Sequence, residues 1–250
     1  MRASQDTVPA VGGDAILRRM LAGRIASLAS VAMTSLAACR DDAPAAIQPA
    51  SPKPRISVER QLEQLAQAGI ALNPWVAEGD LVAFHTRAEF ERAPFDELVE
   101  TLGGEIGREP FAPICDRLWM CDLECVSDDG DYAAVLHRLE RMTEGALHAS
   151  EITDRVDLAA NVAWLRFDCA GRSVQWDLRV DDDWMDPSLF RRYDELLREQ
   201  GSALRLYSNE SDYGQCVFLG AFTTSSKAAF DALVSVRLAP ISGQWRESAR

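Results

Sequence analysis

The chain has 250 residues and carries 39 Asp and Glu against 26 Lys and Arg, a net charge of −13. That balance excludes nucleic-acid binding, which demands clustered Lys and Arg for the phosphates, and it disfavours direct attraction to anionic headgroups. The length suits one domain with a real core.

Residues 25–38 hold no charge and run through Ile, Ala, Ser, Leu, Val, Met and Thr into Leu36-Ala37-Ala38-Cys39, with Arg18, Arg19 and Arg24 ahead of them. A spanning helix needs about 20 mostly apolar residues, so the run is short for a span and fits the charged and apolar regions of a secretory signal. Met20 lies just before the run and is an alternative start. The order of charge, apolar run and Leu-Ala-Ala-Cys resembles the lipobox of bacterial lipoproteins. The resemblance implies cleavage before Cys39, acylation of Cys39, and a periplasm-facing protein touching the membrane only through that lipid. Arg40 follows the cysteine where an aspartate signals inner-membrane retention in this family, which favours the outer membrane. The expected organisation is a signal peptide over 1–38, a lipidated tether over 39–56, a folded body over 57–242 and a frayed tail over 243–250. The tether reading rests on four prolines and no periodicity between residues 40 and 56. Residues 1–38 contain four arginines and two aspartates, so the mature charge becomes −15.

The body begins with a helix from Ser57 to Ala68, capped by Ser57, lined by Leu62, Leu65 and Ala66 and closed by Gly69. Asn73-Pro74 makes a turn, and Leu81-Val82-Ala83-Phe84 reads as a short strand. Thr86 and Glu89 fit a capping box. Phe95, Leu98, Val99 and Leu102 fall at helical spacing between Pro94 and Gly103-Gly104. Leu118 to Val126 reads as a strand, Ser127 to Asp131 as a turn, and Tyr132, Val135, Leu136, Leu139 and Met142 as a helical stripe.

The clearest patterning lies downstream. Residues 163–169 and 173–180 alternate apolar and polar on either side of Ala170-Gly171-Arg172, which predicts a hairpin with one buried face. After the acidic turn, Asp186 and Pro187 open a helix carrying Leu189, Phe190, Tyr193, Leu196 and Leu197, closed by Gly201. Strands over 203–207 and 215–222 and a helix over 225–234 follow. Strands joined by hairpins, rather than strict alternation with helices, predict an α+β domain with a largely antiparallel sheet and packed helices.

Beyond Cys39 there are cysteines at 115, 121, 125, 169 and 216. Export permits disulfides, and an odd count leaves at least one thiol free or paired to another chain. Their spacing matches no zinc arrangement, and His85, His137 and His148 are scattered. No nucleophile elbow, zinc-protease helix or dinucleotide fingerprint occurs, so no catalytic residue is assigned and no metal or cofactor is expected.

The most unusual segment is Asp181-Asp182-Asp183-Trp184-Met185-Asp186. Adjacent carboxylates around a tryptophan suit an Arg- or Lys-rich protein partner, since a desolvated aromatic beside charge is a common anchor. The alternative is a solvated turn with Trp184 tucked under the next helix and Asp186 capping it. On anchor, size and acidity the chain reads as a non-catalytic envelope lipoprotein that binds a basic protein, such as an immunity protein or inhibitor of an antibacterial effector. An envelope hydrolase with a dispersed site and an assembly lipoprotein of an envelope complex stay open beside it.

Overall fold

The computed structural model describes residues 55–83, 85–107, 111–209 and 214–243. The signal segment, Cys39, almost all of the tether and the tail beyond Gly243 lie outside them. The chain divides into Met1–Ser51 and Pro52–Arg250, and every described residue belongs to the second unit.

The described part is α+β. Its helices are α1 (Val58–Gln67), α2 (Glu78–Leu81), α3 (Arg87–Arg92), α4 (Asp96–Leu102), α5 (Asp131–Met142), α6 (Ser188–Glu199) and α7 (Thr224–Leu233). Its strands are β1 (Glu105–Ile106), β2 (Ala112–Pro113), β3 (Leu118–Asp122), β4 (Ser150–Asp157), β5 (Val162–Cys169), β6 (Arg172–Leu178), β7 (Arg205–Asn209), β8 (Cys216–Phe222) and β9 (Ala239–Pro240). They form antiparallel sheets in the orders β3-β8-β7-β9, β4-β5-β6 and β1-β2.

β8 is the wall between two cores. Val217, Leu219 and Ala221 face one core, built with α5, α6 and the β4-β5-β6 sheet. Phe218 and Phe222 face the other, built with α1, α3, α4 and α7. Burial on both faces explains why β8 reads as an unbroken apolar run rather than an alternation. Gly103 lets the end of α4 dock on this wall. A Cβ there would stand 2.5 Å from the Phe218 ring, and its carbonyl accepts from Met120 N–H at 2.7 Å.

The β5-β6 hairpin has its predicted buried face. Leu165, Phe167, Cys169, Trp176 and Leu178 point into the core, and the Phe167 and Trp176 rings meet edge-on at 5.0 Å. Trp164 faces outward with the Arg166 guanidinium 5.3 Å from its ring. The turn is the pair Ala170-Gly171, at φ 51° and 74°, the left-handed combination that suits a two-residue hairpin loop.

Residues 81–83 do not form a strand. Leu81 ends α2, a single turn in which the Asp80 carboxylate accepts from Ala77 N–H at 2.9 Å. Leu81 alone is buried and Val82 is 50% exposed. A lone apolar anchor, not an alternating pair of faces, explains the short run; Phe84 lies outside the described residues.

α1 begins after Ser57, whose hydroxyl accepts from Arg60 N–H, but its inner stripe is Val58, Gln61, Leu65 and Ala68, with Ala66 exposed. Gln61 occupies a core position because all its polar atoms are used. Its amide donates to Ile56 O at 2.8 Å and Phe90 O at 3.0 Å, and accepts from Phe95 N–H at 2.7 Å. The Thr86–Glu89 capping box opens α3 as expected. α5 is capped from a distance. The Asp154 carboxylate on β4 accepts from Gly130, Tyr132 and Ala133 N–H at 2.7, 2.9 and 3.1 Å, satisfying donors that a helix start leaves orphaned.

Candidate functional site

The acidic segment is a corner between the end of β6 and the start of α6, and the backbone fixes it. Val126 N–H donates to Asp183 O at 3.0 Å and Met185 N–H to Leu123 O at 2.7 Å. Glu124 and Trp184 pair as an antiparallel bridge. The corner therefore extends the end of β3, and residues 60 apart in sequence share a surface.

Asp181 and Asp182 are exposed, Asp183 is half-buried, and Trp184 is 37% exposed. Asp182 holds a positive φ of 53°, which turns the chain sharply. Asp181 pairs with Arg179 at 3.0 Å; both side chains are about half exposed, so this pair contributes little to stability. Trp184 is among the exposed large apolar side chains of the described residues.

Asp186 differs from its neighbours. It is 8% exposed, and its carboxylate accepts from Arg179 N–H at 2.9 Å and Ser188 N–H at 3.0 Å. Its own N–H donates to the Tyr132 hydroxyl at 3.0 Å. Asp186 is thus a brace that holds β6, α5 and α6 together; expected as a partner-contacting residue, it has only 8% of its surface exposed and both carboxylate oxygens engaged with backbone N–H groups. The acidic surface consists of Asp181, Asp182, Asp183 and Trp184, with Glu124 added. Glu124 was invisible to sequence reasoning, because only the β3 extension brings it beside Trp184.

The thiols beneath report the local field. Burial, then the Asp122, Asp131 and Asp183 carboxylates, push the Cys125 thiol up to about 12. Burial, then Asp122 and Glu124, push Cys216 up to about 11. Burial lifts Cys121 well above the ordinary thiol range. Such thiols stay protonated at neutral pH and are weak nucleophiles. All five described cysteines are unpaired; Cys115 is buried and its sulfur accepts from Arg117 N–H at 3.3 Å.

The acids of the 127–131 turn also have structural work. Asp131 accepts from Ser127 and Asp128 N–H, and Asp129 accepts from Val156 N–H and pairs with Arg155. Among the described residues no group of His, Cys, Asp and Glu is placed to hold a metal ion. His85 lies 3.4 Å from Glu97, while His137 and His148 are exposed. The buried Tyr193 hydroxyl donates to Glu140 at 2.6 Å and touches the Thr143 hydroxyl. Burial, then the Glu140 charge, raises its pKa far above the phenol range, so this cluster ties α5 to α6.

Comparison with protein-family models, curated proteins and solved structures returns no match for this chain.

Proposed function

We propose that this protein is a lipid-anchored, periplasm-facing lipoprotein whose acidic corner captures a basic partner protein, as an immunity protein or inhibitor of a basic antibacterial effector would. The observation that carries this reading is the partly exposed Trp184 beside Asp181, Asp182, Asp183 and Glu124 on a backbone fixed by β3. An aromatic anchor ringed by charge supplies apolar contact area at its centre and electrostatic steering around it. A fixed corner loses little freedom when it binds. The lipid on Cys39 would place that corner in the compartment where such an effector arrives.

The test compares the native chain with the Asp181→Asn, Asp182→Asn, Asp183→Asn triple variant in pull-downs from periplasmic extract. A basic protein retained by the first is expected to bind the second about tenfold more weakly or worse, and to be released as salt rises. Equal retention by both would sink the role of the corner. The address has its own check. Mass spectrometry from a Gram-negative host is expected to yield an acylated fragment beginning at Cys39, and an unprocessed chain would remove the anchor.

A further inference from the structure

β6 forms an edge of the β4-β5-β6 sheet. Cys169 and Arg172 flank the two-residue loop of the hairpin and are directly opposed, so they form its first hydrogen-bonded pair. Val174, Trp176 and Leu178 then bond to β5, while Ser173, Gln175 and Asp177 aim their N–H and C=O groups away from it. Two contacts agree with that phase: Arg192 donates to Asp177 O at 3.0 Å, and Arg179 N–H donates to Asp186. No strand among the described residues pairs with this edge.

The edges at β3, β4 and β9 are blunted, as edges usually are. β3 has Met120 N–H taken by Gly103 O. β4 carries a register shift between Ser150 and Thr153, and its Val156 N–H is taken by Asp129. β9 is two residues long and ends in Pro240. β6 instead borders a groove of about 350 Å³ against α6, with Val174, Trp176 and Leu196 as apolar lining and Arg172, Arg192, Glu195 and Glu199 as charged lining, Arg172 being paired with Glu199 at 2.7 Å.

We infer that an extended segment of the basic partner adds to β6 as a fourth strand of the β4-β5-β6 sheet, with Ser173 and Gln175 supplying the backbone bonds. This rests on the reading that the acidic corner meets a basic protein. The chemistry of the occupant follows from the edge. Side chains on the inner face of an added strand meet Val174, Trp176 and Leu196. Those on the outer face run beside Asp177, which is exposed, and the strand axis leads from there to Asp181. A segment alternating apolar and Lys or Arg residues fits both faces. From Ser173 to Trp176 the edge offers room for about four residues at roughly 3.3 Å each, and Arg192 closes it at Asp177 O.

The test follows amide exchange by NMR in the full chain, with a short blocked peptide of alternating lysine and valine as the probe. Saturating peptide is expected to slow exchange at Ser173 and Gln175 about tenfold. The same peptide N-methylated at alternate positions is expected to lose that protection, because its backbone donors are gone. Changes confined to 181–184, with Ser173 and Gln175 untouched, would overturn the edge and leave the corner reading standing. Absence of any protection would also overturn it. So would amides at Ser173 and Gln175 already protected without peptide, since the edge would then be occupied by this chain or a second copy.

Discussion

Phe218→Ala is expected to lower the unfolding free energy by about 3–5 kcal/mol, the range for removing a buried aromatic ring from a packed core. Phe218 is fully buried, and its neighbours have little freedom to close the gap. Gly103 lies against the ring with no side chain to move inward, and Met120 is held opposite it in the β3-β8 register. Leu219→Ala, one residue on and facing the opposite core, is expected to cost about 2–5 kcal/mol. Both losses should appear in the same cooperative transition, since β8 is common to the two cores and neither retains its wall without it. Urea unfolding followed by tryptophan fluorescence and by far-UV circular dichroism checks this. Coincident curves with a reduced midpoint and an unchanged slope are expected. If Phe218→Ala split the curves into two steps, with half of the helical signal lost early, the two-faced strand would not join the cores into one folding unit.

Much of the fold was legible because it obeys local rules. The β5-β6 alternation, the Thr86–Glu89 box and the stripe of Tyr132, Val135, Leu136, Leu139 and Met142 each declare a periodicity or a cap over a few residues. What stayed hidden depends on partners far away in sequence. β4 is Ser-Glu-Ile-Thr-Asp-Arg-Val-Asp with only Val156 buried, so no apolar period marks it. Asp154 within it looks like a surface acid, yet it caps a helix 22 residues upstream. β1, β2 and β9 are two residues each, below the length at which any period exists. Leu81–Phe84 showed the opposite failure: apolar content suggested a strand where the chain needs one buried anchor. The acidic corner was visible as composition, but its division into an exposed rim and the buried brace Asp186 was not. That division is set by Arg179 and Tyr132, one on the hairpin and one on α5.

The brace supplies the second large effect. Asp186→Ala is expected to destabilise the fold by about 2–3 kcal/mol, because it strands the Arg179 and Ser188 N–H groups in a site where water has poor access and removes a charge-assisted acceptor from both. Asp186→Asn keeps a carbonyl oxygen for one of them and turns an amide NH2 toward the other, so about half of that loss should return. Urea midpoints measure the cost. Amide exchange at Arg179 and Ser188 locates it, and both should speed up in the alanine variant more than amides in β8 do. The same variant separates structure from surface at the corner. It leaves Asp181, Asp182, Asp183, Trp184 and Glu124 in place, yet releases the end of β6 from the start of α6. A partner that reads a fixed arrangement of those groups should bind the alanine variant more weakly, even where the protein is fully folded, because the freed corner must be ordered again on binding. A partner drawn only by net negative charge should gain or lose almost nothing, since one buried carboxylate contributes little to the field outside. Unchanged stability in Asp186→Ala would mean that the bonds to Arg179 and Ser188 do not hold the corner, and its presentation would then depend on the β3 extension alone.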